Sequence, residues 1–269
     1  MTHADTADDR LRAEAILAAL PAALAADVVA CHVLDEAAST QSEALAVATP
    51  VHGCAVFLAE RQTSGQGRRG RRWVSPPGAA IACSLSRRFA RGPAGMAGLS
   101  LAVGVALAEA LHSLGFAQVR LKWPNDLLAQ GRKLGGILVN LRADGEACGA
   151  VIGFGINVRM PADAGAAIDQ PWCDLASLGE TPTRNAVVSA LLAHLLPALD
   201  AFDADGLAPL LARWQPLDAL VGQTVQLTEG DSHHVGLCLG IAGDGALRLR
   251  DAAGQVHDFY SGDASVRPA

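Results

Sequence analysis

The apolar residues of this 269-residue chain fall into three textures along its length. The first is helical. Within 183–203, Val187, Val188, Leu191, Leu192, Leu195, Leu196, Leu199 and Phe202 keep a three-and-four spacing, which predicts one long amphipathic helix. Residues 95–114 are apolar almost throughout, predicting a helix buried on all sides and ended by Gly115. Residues 8–25 read as a helix with a kink or end at Pro21, and a shorter helix runs to about Trp214. Ser39 or Thr40 caps a short helix to about Ala48, with Glu43 placed three residues after Thr40 as in a capping box. The second texture is extended: 28–34, 54–60, 79–87, 119–122, 133–142 and 147–158 predict strands. Residues 143–146 (ADGE) join the last two as a hairpin, and 159–181 read as irregular. The third begins after Leu220, where four or five short strands broken by Gly-Asp clusters predict a small β-barrel. These shifts divide the chain into an N-terminal helical segment (1–30), a central domain (31–217) and a C-terminal barrel (220–269), with the boundary at 217–221.

Composition narrows the class. Apolar residues make up 51% of the chain, enough to exclude disorder, and no uncharged apolar run reaches the roughly 18 residues of a membrane span. The N-terminus lacks a basic region and does not read as a signal peptide. The six cysteines are scattered with no C-x-x-C pair, so reduced, buried thiols and a cytoplasmic protein are expected. The eight histidines, including His233 and His234, show no metal-ligand spacing.

Charge changes the picture most. The net charge is -6, yet the stretch between Glu60 and Glu109 carries eight arginines (61, 68, 69, 71, 72, 87, 88, 91) and no acid. The rest of the chain is left at -14. Residues 65–70 (GQGRRG) fit G-x-G-x-x-G, but the following RRWVSPP cannot continue a helix and no acid follows for nearly forty positions, which excludes a dinucleotide fold. A solvated charge run would interleave acids, and this one does not. Two guanidinium groups about 4 Å apart repel by about 1 kcal/mol in water and about 4 at a partly buried dielectric. Five arginines on a Gly-rich loop therefore predict a segment that is mobile until an anion orders it, with arginine's planar fork gripping phosphate or carboxylate. The acidic remainder argues against nucleic acid, which favours a broad basic face, and for a compact polyanion such as a nucleoside triphosphate. Arg87, Arg88 and Arg91 read as ordinary surface charges.

Two further motifs carry candidate chemistry. Residues 122–126 (KWPND) end a strand at a Trp-Pro turn and present Asn125 and Asp126 side by side, Asn125 to read a base or ribose and Asp126 to hold Mg²⁺ through its waters. Residues 133–138 (KLGGIL) place Lys133 at a strand mouth before Gly135 and Gly136, which permit close approach of a ligand.

Together with 34–41 (LDEAASTQ), 62–73 (QTSGQGRRGRRW) and 153–157 (GFGIN), these motifs resemble the biotin protein ligases over residues 30–267. The resemblance implies an α+β fold: a central mixed β-sheet flanked by helices, class II synthetase-like, with a small C-terminal SH3-like β-barrel. It implies an enzyme that joins biotin to ATP as biotinoyl-5′-adenylate and passes it to a lysine of a biotin carboxyl carrier protein. Arg68 and Lys133 would be catalytic. Ser39, Thr40, Gln41, Gln62, Gln66, Gly67, Gly135 and Gly136 would complete the biotin site. Arg69, Arg71, Trp73, Lys122, Asn125, Asp126, Asn157 and Trp172 would form the adenylate side, with Mg²⁺ at Asp126. Many members carry Arg where this chain has Gln66, which removes a charge there. Too few residues precede Ser39 for a DNA-binding helix-turn-helix, so the resemblance is to the monofunctional class: no nucleic acid, no membrane, a monomer or weak homodimer. The rival readings are a lipoate or other acyl ligase on the same fold and a non-enzymatic Arg/Trp nucleic-acid module.

Overall fold

A computed structural model of the protein describes residues 9–144, 147–163, 168 and 170–266. Proline fixes φ and has no amide hydrogen, so it opens a helix more readily than it continues one. Pro21 accordingly splits the predicted first helix into α1 (Ala13–Ala18) and α2 (Ala22–Asp27). The chain then runs through β1 (Val28–Ala37), α3 (Thr40–Ala46), β2 (Cys54–Gln62), β3 (Ala80–Phe89), α4 (Leu99–Ser113), β4 (Val119–Lys122), β5 (Asp126–Ala129), β6 (Arg132–Asp144), β7 (Ala147–Asn157), α5 (Arg184–Asp205) and α6 (Ala208–Trp214). The strands form one seven-stranded mixed sheet in the order β1-β2-β3-β7-β6-β5-β4. Among these described strands only the β1–β2 pair is parallel, as its crossover through α3 requires.

The two faces of the sheet differ. On one, α4 and α5 pack over Cys83, Leu85, Ile152, Phe154 and Ile156 in the main core. Pro93–Ser113 and Arg184–Asp205 are long and apolar enough to cross a membrane by composition, but most of each is buried in this core. On the other face, α3 covers only part of β2, β3 and β7 with Ala44, Ala55, Phe57 and Val151. The uncovered part becomes the site described below.

Several sequence expectations shift. The capping box at Thr40 and Glu43 does not form; Ser39 caps α3, its hydroxyl accepting the Gln41 amide at 3.2 Å. The predicted helix at 95–114 begins at Leu99, after a 3-10 turn over Pro93–Met96. Strand β5 was unexpected: it is four residues long and turns into β6 through Gln130 (φ 52°) and Gly131 (φ 73°). Of the hairpin turn expected at 143–146, residues 145 and 146 lie outside the described residues.

Beyond the 3-10 turn Gln215–Leu217, five short strands follow: β8 (Thr224–Glu229), β9 (Ser232–Ile241), β10 (Leu247–Arg250), β11 (Val256–Phe259) and β12 (Asp263–Val266). They form an antiparallel sheet in the order β11-β10-β9-β8-β12, the counterpart of the expected small barrel. This sheet does not stand apart. Val225, Leu227, Leu247 and Leu249 belong to the same apolar core as α4 and α5. The Ala219 amide donates to Leu121, and the Trp123 indole N–H donates to the Gly245 carbonyl at 3.0 Å. Trp123 is thus a plug between the two sheets.

Candidate active site

Alternation along β3 and β7 builds the floor of a cavity of about 330 Å³. Successive strand residues point to opposite faces. Cys83, Phe154 and Ile156 belong to the core, while on the opposite face Ser84 pairs with Gly153 and Ala82 with Gly155. The glycines keep that face low. A Cβ on Gly153 would lie 2.3 Å from the Gln41 Oε1, and one on Gly155 would lie 2.5 Å from the Trp73 ring. The side chains of Gln41 and Trp73 therefore lie against bare backbone.

The α3 end of the cavity is a closed hydrogen-bond set. The Gln62 Oε1 accepts the Thr40 amide at 2.8 Å, at the helix N-terminus. The Thr40 and Ser84 hydroxyls are 2.9 Å apart, and Ser84 donates to Gln41 Oε1 at 2.9 Å. Gln41 Nε2 donates to Asn140 Oδ1 and the Val151 carbonyl. Gln41 lines the cavity, but its amide is spent on holding α3 to β6 and β7.

The opposite wall carries the charge. The ammonium of Lys133 lies 2.7 Å from Asp126 Oδ1, and that of Lys122 lies 3.4 Å from Oδ2. Asp126 is buried, and each of its oxygens faces a cation. Lys133 is itself fixed on both sides, its amide donating to Pro171 and its carbonyl accepting from Cys173, with Trp172 in bridge position. Asn125 donates to the Ile137 carbonyl at 2.9 Å and accepts from the Arg68 guanidinium at 3.0 Å. Burial pulls the Arg68 pKa down; Asp263 offsets part of that, and Arg69 adds to it.

The loop, expected to stay mobile until an anion orders it, already carries internal pairing. Gln66 and Arg72 pair as a β-bridge around a 3-10 turn at Arg68–Gly70, where Arg69 takes a left-handed φ of 56°. Gly65 is required here, since a Cβ would meet the Trp73 carbonyl at 2.7 Å. The missing acids arrive from distant sequence. Asp263 of β12 takes Arg69 at 3.0 Å and Arg71 at 2.5 Å, and Glu36 takes Arg61 at 2.9 Å. Arg87 and Arg91 are not ordinary surface charges either. Arg87 pairs with Asp200 and lies over the Phe89 ring, while Arg91 donates to the carbonyls of Asp203 and Ala204, so both tie β3 to α5.

The predicted residues largely meet. Ser39, Thr40, Gln41, Gln62, Gln66, Gly67, Arg68, Arg71, Trp73, Asn125, Asp126, Lys133, Gly136, Asn157 and Trp172 all line this one cavity. Three do not. Gly135 faces away, its Cβ position 2.5 Å from the Gly155 carbonyl; Arg69 turns to Asp263; Lys122 stands behind Asp126. Sequence reasoning missed Ser84, Gly153 and Gly155 as cavity floor and Asp263 as a cavity residue. Asn125 also gains a partner that the sequence did not show: its amide oxygen holds the Arg68 guanidinium while one amide hydrogen goes to the Ile137 carbonyl. The Mg²⁺ expectation at Asp126 does not fit. Both oxygens are paired with lysine, and among the described residues no cluster of three or more acid, His or Cys side chains could hold a metal. The thiols offer no nucleophile. Burial pushes Cys31 and Cys238 up to about 11 and Cys54 to about 12.

Comparison with known proteins gives this arrangement a class. Residues 37–157 match the model of the Biotin/lipoate A/B protein ligase family, and residues 220–267 match the Biotin protein ligase C terminal domain. The bifunctional ligase/repressor BirA of Escherichia coli is 43% identical over 213 residues, which are 79% of this chain and 66% of that protein; the chain thus spans just under two thirds of its length. The biotin--[acetyl-CoA-carboxylase] ligase of Paracoccus denitrificans is 36% identical over 81% of this chain and 92% of its own. A mutant of the biotin protein ligase of Aquifex aeolicus, solved in complex with biotin, superposes with a TM-score of 0.73 at 25% identity, covering 89% of this chain and 98% of that one. The chain belongs to the biotin protein ligases.

Proposed function

We propose that this protein activates biotin with ATP as biotinoyl-5′-adenylate, releasing pyrophosphate, and transfers the biotinoyl group to a lysine of a biotin carboxyl carrier protein in the cytoplasm. The observation that carries this reading is the convergence of Lys133 and Arg68 on one cavity whose far end is the neutral Ser39, Thr40 and Gln62 set.

The two ends divide the work. At the neutral end, the Ser39 hydroxyl accepts the Gln41 amide and keeps a proton to donate, and Gln62 keeps its amide hydrogens. A ureido ring needs such donors and acceptors without charge. At the cationic end, a carboxylate must approach an α-phosphate against like-charge repulsion that grows as the site dries. Lys133 and Arg68 offset that repulsion and stabilise charge developing at phosphorus. Both are pre-positioned, Lys133 by Asp126 and Arg68 by Asn125, so little reorganisation is left for the reaction. Trp73 and Trp172 offer flat surfaces for the adenine, with Asn157 near them. Magnesium would enter as part of the ATP substrate, held by its phosphates. The loop over residues 65–72 then excludes water from a hydrolysable anhydride.

The test is transfer of biotin to a purified carrier-protein domain with ATP and magnesium, run beside lipoate and octanoate. Biotin alone should be transferred. Transfer of lipoate in its place would assign the cavity to the other branch of the fold. Salt-sensitive retention on single-stranded RNA without ATP consumption would support the nucleic-acid reading instead.

A further inference from the structure

We infer that Asp263 is a displaceable counter-ion for the arginine loop: its carboxylate holds the place between Arg69 and Arg71 that the terminal phosphates of a nucleoside triphosphate take over. The inference rests on the reading of this cavity as a nucleotide site.

The geometry is that of a phosphate oxygen's partners. One oxygen, Asp263 Oδ2, receives both guanidinium groups, at 3.0 Å from Arg69 and 2.5 Å from Arg71. Arginine grips carboxylate and phosphate through the same fork. Asp263 and Arg71 line the same cavity as Arg68 and Lys133, with Arg69 just outside it, so the contact lies at the edge of the site. Its position is not set by the loop. It opens β12, paired to Thr228 of β8, and so is delivered by the C-terminal sheet.

Exposure decides whether such a contact holds or yields. The Arg69 and Arg71 side chains are 41% and 63% exposed, and that of Asp263 is 30% exposed. Ion pairs this open are weak and screened by salt. A triphosphate brings several negative charges against the single charge of Asp263. Once it is seated, the carboxylate would face phosphate oxygens of its own sign, so the resting contact and the bound triphosphate exclude each other. Linkage makes the effect reciprocal: whatever the phosphates gain from the arginines, the loop loses in attachment to the C-terminal sheet. The C-terminal sheet then has a defined part in nucleotide binding, setting its affinity by competing for the loop.

The test uses inorganic triphosphate as the probe, titrated calorimetrically at low ionic strength into the full chain. Asp263→Asn should bind it about two- to fivefold more tightly than wild type, the range of exposed ion pairs. Asp263→Glu, which keeps the charge, should bind like wild type. In an Arg69→Gln, Arg71→Gln background, Asp263→Asn should have a clearly smaller effect, because the pair it breaks is already absent. Equal or weaker binding by Asp263→Asn overturns the proposal. So does the same tightening in the Arg69→Gln, Arg71→Gln background, which would make the effect a general change of charge. Biotin transfer by the wild-type protein fails or succeeds independently of these affinities, so the two readings are separable.

Discussion

The two charged walls of the cavity are built in opposite ways. On the β5–β6 wall, Asn125, Asp126 and Lys133 come from one short stretch of sequence, and the side chains of Asp126 and Lys133 are mostly buried. Their side-chain partners within the wall are local, Asn125 binding Ile137 and Lys133 binding Asp126, and only the segment at Trp172 and Arg68 reach them from further along the chain. On the loop wall, Arg69 and Arg71 are exposed and depend on an acid about 190 residues away. The buried wall holds its groups in place before any ligand arrives. The loop wall can let go. Arg68 stands between them, on the loop in sequence but tied to Asn125 and half-buried in space.

The largest effects should come from the fixed groups. Lys133→Ala removes the cation proposed to meet the carboxylate and α-phosphate and leaves Asp126 with only Lys122. ATP–pyrophosphate exchange should fall by about 10²- to 10³-fold, the range for loss of one preorganised donor, with the fold retained by circular dichroism. Arg68→Ala should do the same. Exchange at the wild-type rate in both variants would sink the assignment of this wall as the catalytic one.

A second prediction concerns the floor. In Gly153→Ala the new Cβ would lie 2.3 Å from Gln41 Oε1, and Gln41 cannot retreat without losing Asn140 and Val151. Overpacking of this kind costs about 1–3 kcal/mol. A lowered thermal midpoint should come with weaker biotin binding, because Gln41 shares Ser84 with Thr40. A normal midpoint and a normal biotin Kd would show that α3 floats over the sheet and is not pinned to it.

The loop should respond to ligand where the wall does not. Protease cleavage within 65–72 should slow when biotin and ATP are added together, and cleavage elsewhere should be unchanged. Unaltered cleavage there would mean that the bridge between Gln66 and Arg72 already holds the loop in its final form.

These differences track what could be read from sequence. The long helices and most strands were legible because their apolar spacing is a local property, and the buried wall was legible because KWPND and KLGG are contiguous motifs. The exception, β5, escaped because its turn is Gln130-Gly131; Gln130 adopts a left-handed φ that turn chemistry usually assigns to Asn or Asp. The floor left a faint signal in the alternation of Gly153, Phe154 and Gly155, which marks a strand with one bare face. Asp263 left none. Nothing at the C-terminus says that its carboxylate meets two arginines in a loop on the other side of the chain, and the same holds for the Arg87–Asp200 pair. Local chemistry survives translation into sequence; the partners of an exposed charge do not.

The smallest expected effect tests how finely the acid-free stretch divides. Arg61 belongs to it and sits directly before Gln62 in β2, yet its guanidinium points to Glu36, on the neighbouring strand β1. Both side chains are more than half exposed, 51% and 54%. Such a pair contributes little, so Arg61→Gln should shift the thermal midpoint by no more than about 2 °C and leave ATP–pyrophosphate exchange at the wild-type rate. The comparison with Arg68→Ala is what makes this small number useful. If Arg61→Gln impaired exchange as deeply as Arg68→Ala, the stretch would act as one field of positive charge. The distinction between groups fixed at the reacting centre and charges paired away from it would then fail.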